Sequence, residues 1–153
     1  MRLFIGRHAE AAQHSDDKHR PLSEVGREQA KRLAQFMAEV PLDYVVSSDA
    51  VRTTETAEFV CRGQVRAPDI QQDTSLYQAD LADWLDVIRA IPEGVTAAYI
   101  VGHQPTVSQV VAYLCGSSKA VAPFPPATVA CFESLESSVE FGQFPQPSIQ
   151  YFA

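Results

Sequence analysis

The sequence predicts an α/β fold of three layers, a mainly parallel sheet with helices on both faces. Two observations predict it. Strand-like and helix-like stretches alternate at least three times between residues 2 and 116, the pattern of crossover units that cover both faces of a parallel sheet. Three of the strand-like runs also stop abruptly at polar or charged residues: Gly6-Arg7-His8, Ser47-Ser48-Asp49 with Arg52 just beyond, and Gly102-His103-Gln104. In open α/β sheets ligands bind outside the carboxyl ends of the strands, so two Arg and two His are expected to meet at one edge.

Residues 2–6 form the first strand. Residues 7–22 are polar, hold three of the four histidines, and are longer than a plain connection needs, which marks a functional loop. Ser23 is placed to cap a helix with Glu24 in its first turn, an apolar face at Ala30, Leu33, Ala34 and Met37, and Pro41 as its stop. Gly26 is unfavourable inside that helix and suggests close approach of the loop or a ligand. Tyr44 to Val46 is a second strand, and Ser47-Ser48-Asp49 is expected to cap a helix from about 50 to 61. Arg52 in its first turn opposes the helix dipole. An anion at the same helix end would explain it; a solvated Arg, or one paired with Glu55 or Asp49, is the plain alternative.

Ala67 to Asp73 is a weak third strand. Asp80 caps a helix with Leu81, Trp84, Leu85 and Ile88 on one face, and Trp84 is read as core. After a turn at Pro92-Glu93-Gly94, Ala97 to Val101 is the clearest central strand. Thr106 is expected to cap a last helix that Gly116 stops. Residues 116–127 are a Pro-rich loop, Thr128 to Leu135 a strand, and Ser148 to Phe152 an edge-like one, so the tail should add an antiparallel edge.

With 153 residues the chain is the size of a single domain, 1–153. The net charge of −7 argues against a nucleic-acid partner, and no apolar run is long enough to span a membrane. The three cysteines have no paired spacing and sit in apolar contexts, as expected of reduced core residues in a cytoplasmic protein.

Phosphoryl transfer needs a positioned nucleophile and clustered positive charge. His8 could attack phosphorus in line while Arg7 and Arg52 grip the phosphoryl oxygens. His103, protonated, could add a third cationic donor. A zinc site is disfavoured, because no His pair stands in an H-E-x-x-H spacing and the cysteines do not cluster. The chain also lacks a Gly-x-Ser-x-Gly turn, a Walker loop and a dinucleotide fingerprint. No metal and no cofactor are therefore expected.

Four blocks carry a resemblance: Arg7-His8-Ala9-Glu10-Ala11; Arg20-Pro21-Leu22-Ser23 with Gly26; Ser47-Ser48 with Arg52 and Thr56-Ala57; and Val101-Gly102-His103-Gln104-Pro105. In this order they resemble the histidine phosphatase superfamily, the phosphoglycerate-mutase-like group, and most of all its SixA-type branch of phosphohistidine phosphatases. The resemblance implies a phosphoglycerate-mutase-like fold. It implies that His8 is the phosphorylated nucleophile, that Arg7 and Arg52 bind phosphate, and that His103 is the second catalytic histidine. Arg20 falls on the branch's Arg-Pro-Leu position and is expected to bind substrate in the same pocket; an exposed loop charge is the plain alternative. His14 and His19 match no such position and are read as solvated.

The chain departs from the family pattern at Ala9, where a Gly is usual, and at Asp49, where a Pro is frequent. Many members also carry a Glu after the third strand that protonates the leaving group. Here Ser75-Leu76-Tyr77-Gln78-Ala79 offers none, and the nearby Asp80 is expected to be a helix cap. An alkoxide needs that proton in the transition state. An imidazole protonated on its far nitrogen leaves neutral without it. The expected substrate is therefore a phosphohistidine-bearing protein, acted on by a monomer. A small-molecule phosphomonoesterase and a weakly catalytic phosphoprotein-binding domain are the alternatives.

Overall fold

A computed structural model describes residues 1–116, 124–133 and 147–152. The part of the Pro-rich loop at 117–123, and the end of the expected strand at Ser134 and Leu135, lie outside these residues.

Six strands form one sheet: β1 (Arg2–Arg7), β2 (Tyr44–Ser48), β3 (Ile70–Asp73), β4 (Ala97–Gly102), β5 (Val129–Phe132) and β6 (Ser148–Gln150). Their order is β3-β2-β4-β1-β5-β6. The pairs β2–β3, β2–β4 and β1–β4 are parallel, while β5 runs antiparallel to β1 and β6 antiparallel to β5. The expected parallel sheet with an antiparallel edge is therefore present. The third strand is shorter than the expected Ala67 to Asp73, starting at Ile70.

The helices α1 (Glu24–Met37), α2 (Val51–Arg62), α3 (Leu81–Arg89) and α4 (Thr106–Leu114) divide between the two faces. Side chains alternate across a strand, and β1 shows the consequence. Phe4 joins Leu33, Met37, Ala57 and Val60 under α1 and α2. Leu3 and Ile5 join Trp84, Ile88, Val107, Val110 and Leu114 under α3 and α4. Both faces of β1 and β4 are covered, which is why these strands read as continuous apolar runs.

Three local expectations fare differently. Ser23 caps α1 as expected, its hydroxyl accepting from the Gly26 N–H at 3.0 Å. No side chain caps α2, whose N-cap is Ala50; Ser48 Oγ instead accepts from the Ala50 N–H just before the helix. Thr106 is not a cap. It is the first residue of α4, and its hydroxyl donates to the Ala79 carbonyl at 2.8 Å, tying α4 to the segment before α3. The Gln104 side chain takes over the capping task, its Oε1 accepting from the Ser108 N–H at 3.0 Å.

Two glycines are required by close approach. A Cβ on Gly26 would run into the backbone carbonyl oxygen of Glu10, and one on Gly102 would run into the indole of Trp84. Gly26 thus admits the loop rather than a ligand. Trp84 is fully buried, as expected, directly under the turn that carries His103.

From β1 the chain crosses toward β2, whereas from β4 it crosses to β5 on the other side of β1. The sheet order reverses between β1 and β4, which makes their carboxyl ends the switch-point crevice where α/β folds place ligands.

Candidate active site

The crevice holds a cavity of about 420 Å³ lined by Arg7, His8, Glu10, Ala11, Arg20, Arg52, His103, Gln104 and Pro126. All five residues singled out in the sequence line it. Arg7 and His8 come from the end of β1, Arg52 from the first turn of α2, His103 from the end of β4, and Arg20 from the loop before α1.

His8 is held from both sides of its backbone, its N–H donating to the Gly102 carbonyl and its carbonyl accepting from the Ala127 N–H. Its Nδ1 lies 2.6 Å from the Ala9 carbonyl oxygen. A carbonyl only accepts, so Nδ1 carries the proton and Nε2 keeps its lone pair. The residue is 8% exposed. Burial first, with the neighbouring His103 ring and the charges of Arg52 and Arg7, pushes its pKa down to about 3. At neutral pH His8 is therefore an unprotonated imidazole held in one tautomer.

Ala9 replaces the usual glycine without strain. Its φ is not among the positive values in the described chain, and its N–H donates to Thr56 Oγ1 at 3.0 Å. Thr56 Oγ1 in turn donates to the Arg52 carbonyl at 2.8 Å, which locks the α2 start to the nucleophile loop.

Arg52 is buried, 7% exposed. It pairs neither with Glu55 nor with Asp49. Glu55 accepts from the Leu22 N–H, and Asp49 holds Lys18 at 2.7 Å, a use for the residue that stands where Pro is frequent. Two nitrogens of Arg52 reach Asp17 instead: Nη1 donates to its carbonyl at 2.7 Å and Nη2 to its carboxylate at 3.2 Å. Arg7 donates through Nη1 to the Phe124 carbonyl at 3.1 Å. Arg20 is anchored by Nε to the Ala12 carbonyl and approaches Asp17 at 3.5 Å. It is not an exposed loop charge. His14 and His19 are exposed and bond to the Asp16 side of the loop, as expected.

The sequence expects a protonated His103 only as charge builds up in the reaction, and in the free protein the ring is neutral. Burial first, then the charge of Arg52, lowers its pKa to about 4, so the ring is neutral at rest. Its Nε2 is 2.9 Å from Ser48 Oγ. Because Ser48 Oγ already accepts from Ala50, its own proton is free for Nε2, which leaves Nδ1–H without a partner. The buried atoms lacking a hydrogen bond include Arg7 Nε, Arg52 Nε and His103 Nδ1. Unsatisfied buried donors are costly. All three belong to residues that line one cavity, where two guanidinium groups beside two imidazoles suit an oxygen-rich anion.

Two carboxylates escaped the sequence reading. Glu10 lines the cavity and accepts from Ser23 Oγ at 2.6 Å. Asp17 stands at the outer rim, touching Arg52, Arg20 and the Tyr77 hydroxyl, which donates to it at 2.7 Å. Glu10 was visible as the second residue after His8. Asp17 had no signal, because two of its partners, Arg52 and Tyr77, lie 35 and 60 residues away. Asp80 is not a free acid. Its carboxylate accepts from the Asp83 N–H at 2.9 Å in a reciprocal cap.

A larger groove of about 740 Å³, lined by Pro41, Asp43, Arg66 and Thr96 among others, precedes β2 and β4 and lies at the other end of the strands. Asp43 there is occupied by the Thr96 and Ala97 N–H groups. Among the described residues no three His, Cys, Asp or Glu side chains are grouped to hold a metal ion, and no helix is long and apolar enough to cross a membrane.

Residues 3–99 match the family model of the histidine phosphatase superfamily (branch 1). The chain is 30% identical over 146 residues to a phosphohistidine phosphatase SixA homolog of Haemophilus influenzae, covering 85% of this chain and 86% of that one. The protein histidine phosphatase SixA, solved in complex with tungstate, superposes with a TM-score of 0.82 at 24% identity, over 99% of this chain and 95% of that one. A SixA structure from Agrobacterium tumefaciens gives 0.78 at 28% identity, over 86% and 90%. With its two histidines and its arginines gathered at the switch point, the chain belongs to the histidine phosphatase superfamily. Within that family it is similar in sequence to a SixA homolog, and SixA structures share its fold.

Proposed function

We propose that this protein removes the phosphoryl group from phosphohistidine on a partner protein, through a phosphohistidine intermediate on His8 and without a metal. The observation that carries the reading is the convergence of Arg7, Arg52, Arg20 and His103 on one cavity with the unprotonated Nε2 of His8. The phosphoryl oxygens would take guanidinium donors of the arginines. Nε2 attacks phosphorus as the bond to the departing nitrogen breaks, and water then releases phosphate from His8. A dianionic phosphoryl group beside His103 opposes the burial that keeps it neutral. It favours the imidazolium as charge builds, so a further positive charge arrives with the substrate. Arg7, Arg52 and Arg20 supply positive charge where other phosphatases use a cation.

The substrate class rests on the leaving group. Segment 75–79 brings Tyr77 to the rim and no carboxylate, and Asp80 is occupied as a cap. The similarity to a SixA homolog supports the same reading. One observation favours a small-molecule phosphomonoesterase instead: Glu10 lines the cavity and could protonate a leaving oxygen.

The test compares kcat/KM for a phosphohistidine-bearing protein and for phosphoglycerate under one set of conditions. The first should be preferred by orders of magnitude. Equal or better turnover of phosphoglycerate, abolished in Glu10→Gln, establishes the second reading. Exhaustive chelation should leave the rate unchanged, while tungstate should inhibit competitively; activity lost to chelation and restored by a divalent cation contradicts the metal-free mechanism.

A further inference from the structure

We propose that Asp17 is the specificity-determining residue of this site, accepting a hydrogen bond from the far ring N–H of the phosphohistidine that His8 attacks. The inference rests on the phosphohistidine reading and deepens it.

In-line displacement puts the leaving atom on the side of phosphorus away from the nucleophile. His8 is buried at the cavity floor, so the leaving group points outward to the rim. There Asp17 has its side chain 55% exposed. It does not line the cavity's inner wall but touches groups that do. Arg52 and Arg20 hold it from two sides, and Tyr77, whose ring meets His103 edge-on at 5.7 Å, donates to its Oδ2. The backbone carbonyl of Asp17 is fixed as well, accepting from Arg52 at 2.7 Å. Tyr77 in turn lies under Lys18, whose ammonium is 5.3 Å from the ring centre and is paired with Asp49. The carboxylate is thus positioned before substrate arrives.

It also has capacity left. An ionised carboxylate offers about four acceptor positions. Oδ2 takes Tyr77 and Arg52, while Oδ1 has only the long approach of Arg20. The Tyr77 hydrogen bond, followed by Arg52, holds the group below the ordinary aspartate range, so it is ionised throughout the working pH range. A fixed, ionised acceptor outside a cationic pocket suits a ligand that is anionic at phosphorus and cationic one ring away. Phosphohistidine with a protonated ring is such a ligand. An alkyl or aryl phosphate is not.

The chemistry follows. The P–N bond breaks and its electron pair stays on the ring nitrogen, while His8 Nε2 supplies the pair for the new P–N bond. A ring that carries its far proton leaves as neutral imidazole with no proton transfer; a ring without it would leave as an imidazolate anion. By holding the N–H form, Asp17 keeps the substrate in its better-leaving state. The charged and titratable groups around that ring are Asp17, Arg52, Arg20, Tyr77, His103, Lys18, Arg7 and Glu10.

The experiment measures N-phosphoimidazole and p-nitrophenyl phosphate with wild type, Asp17→Asn and Asp17→Glu. In Asp17→Asn the ratio of kcat/KM for the N–P over the O–P substrate should fall about tenfold or more, the worth of a hydrogen bond to a charged group. The alkaline limb of kcat for N-phosphoimidazole should move to lower pH, with the limb for the aryl ester unmoved. Asp17→Glu should recover part of the ratio. An equal loss on both substrates would assign Asp17 to holding Arg52 alone, and a gain on both would make it a competitor of the phosphoryl group. Either overturns the inference and leaves the phosphohistidine reading standing. Wild type that turns over the aryl ester but not N-phosphoimidazole overturns both.

Discussion

The rings of His8 and His103 face each other across the crevice with centroids 5.4 Å apart and planes inclined at 55°. They come from the ends of adjacent parallel strands, in which Arg7 stands opposite Gly102 in register. One residue past that register on each strand brings the two imidazoles together. Each ring has one nitrogen in a hydrogen bond, Nδ1 of His8 with Ala9 O and Nε2 of His103 with Ser48 Oγ.

His8 should carry the phosphoryl group. Rapid quenching with a labelled phosphohistidine protein should trap an acid-labile adduct on His8, and His8→Asn should lose both adduct and turnover. Full turnover in that variant would sink the mechanism.

Arg52→Ala and His103→Ala should each lower kcat by about 10²–10³, as when one preorganised donor to developing charge is removed. Arg52 also anchors Asp17 through two hydrogen bonds, so its variant should raise KM as well. An Arg52→Ala enzyme with kcat within a few-fold of wild type would show that the buried guanidinium is structural.

Stability should fall on mild acidification. Both imidazoles are harder to protonate folded than unfolded, moving from 6.5 to about 3 for His8 and about 4 for His103. As pH drops below 6.5 the unfolded chain takes up these protons first. Their contribution is thus full above about pH 6.5 and is lost as pH falls toward 4 and then 3. At about 1.4 kcal/mol per pKa unit the loss is a few kcal/mol for each imidazole. Tm followed from about pH 7 to about pH 4 should drop more steeply in wild type than in a His8→Asn, His103→Asn double variant. Parallel curves would mean that neither imidazole is held neutral by the fold.

Gly26→Ala sets two effects against each other. Helix propensity favours Ala by about 1 kcal/mol. The added Cβ, however, meets the Glu10 carbonyl, which is backbone and already accepts from the Ser23 N–H. Overpacking costs about 1–3 kcal/mol, so the variant should be less stable in urea. Activity should fall too, because Glu10 and Ala11 line the cavity. A more stable Ala variant would show that the loop yields easily.

Much of the architecture was legible in the chain itself. Alternating buried strands and amphipathic helices follow from local hydrophobic period, and His8, Arg52 and His103 were found because each sits next to a strand end. Boundaries were less legible where tertiary contacts decide them. Thr106 has the chemistry of a cap, yet its hydroxyl is drawn to Ala79, and Gln104 reaches the free N–H instead.

The sequence by itself determined the fold class, the sheet edge that carries the chemistry, and four of the residues that line the cavity, because these depend on periodicity and on position relative to strand ends; Arg20 came from the family resemblance. Only the tertiary structure decided their charge states and their neighbours. Whether His103 is neutral depends on how deeply it is buried beside Arg52, and no local pattern encodes burial depth at a loop. Asp17 reads as one more acidic residue in a polar loop; it becomes part of the site because the fold carries Tyr77, 60 positions along the chain, within 2.7 Å of it.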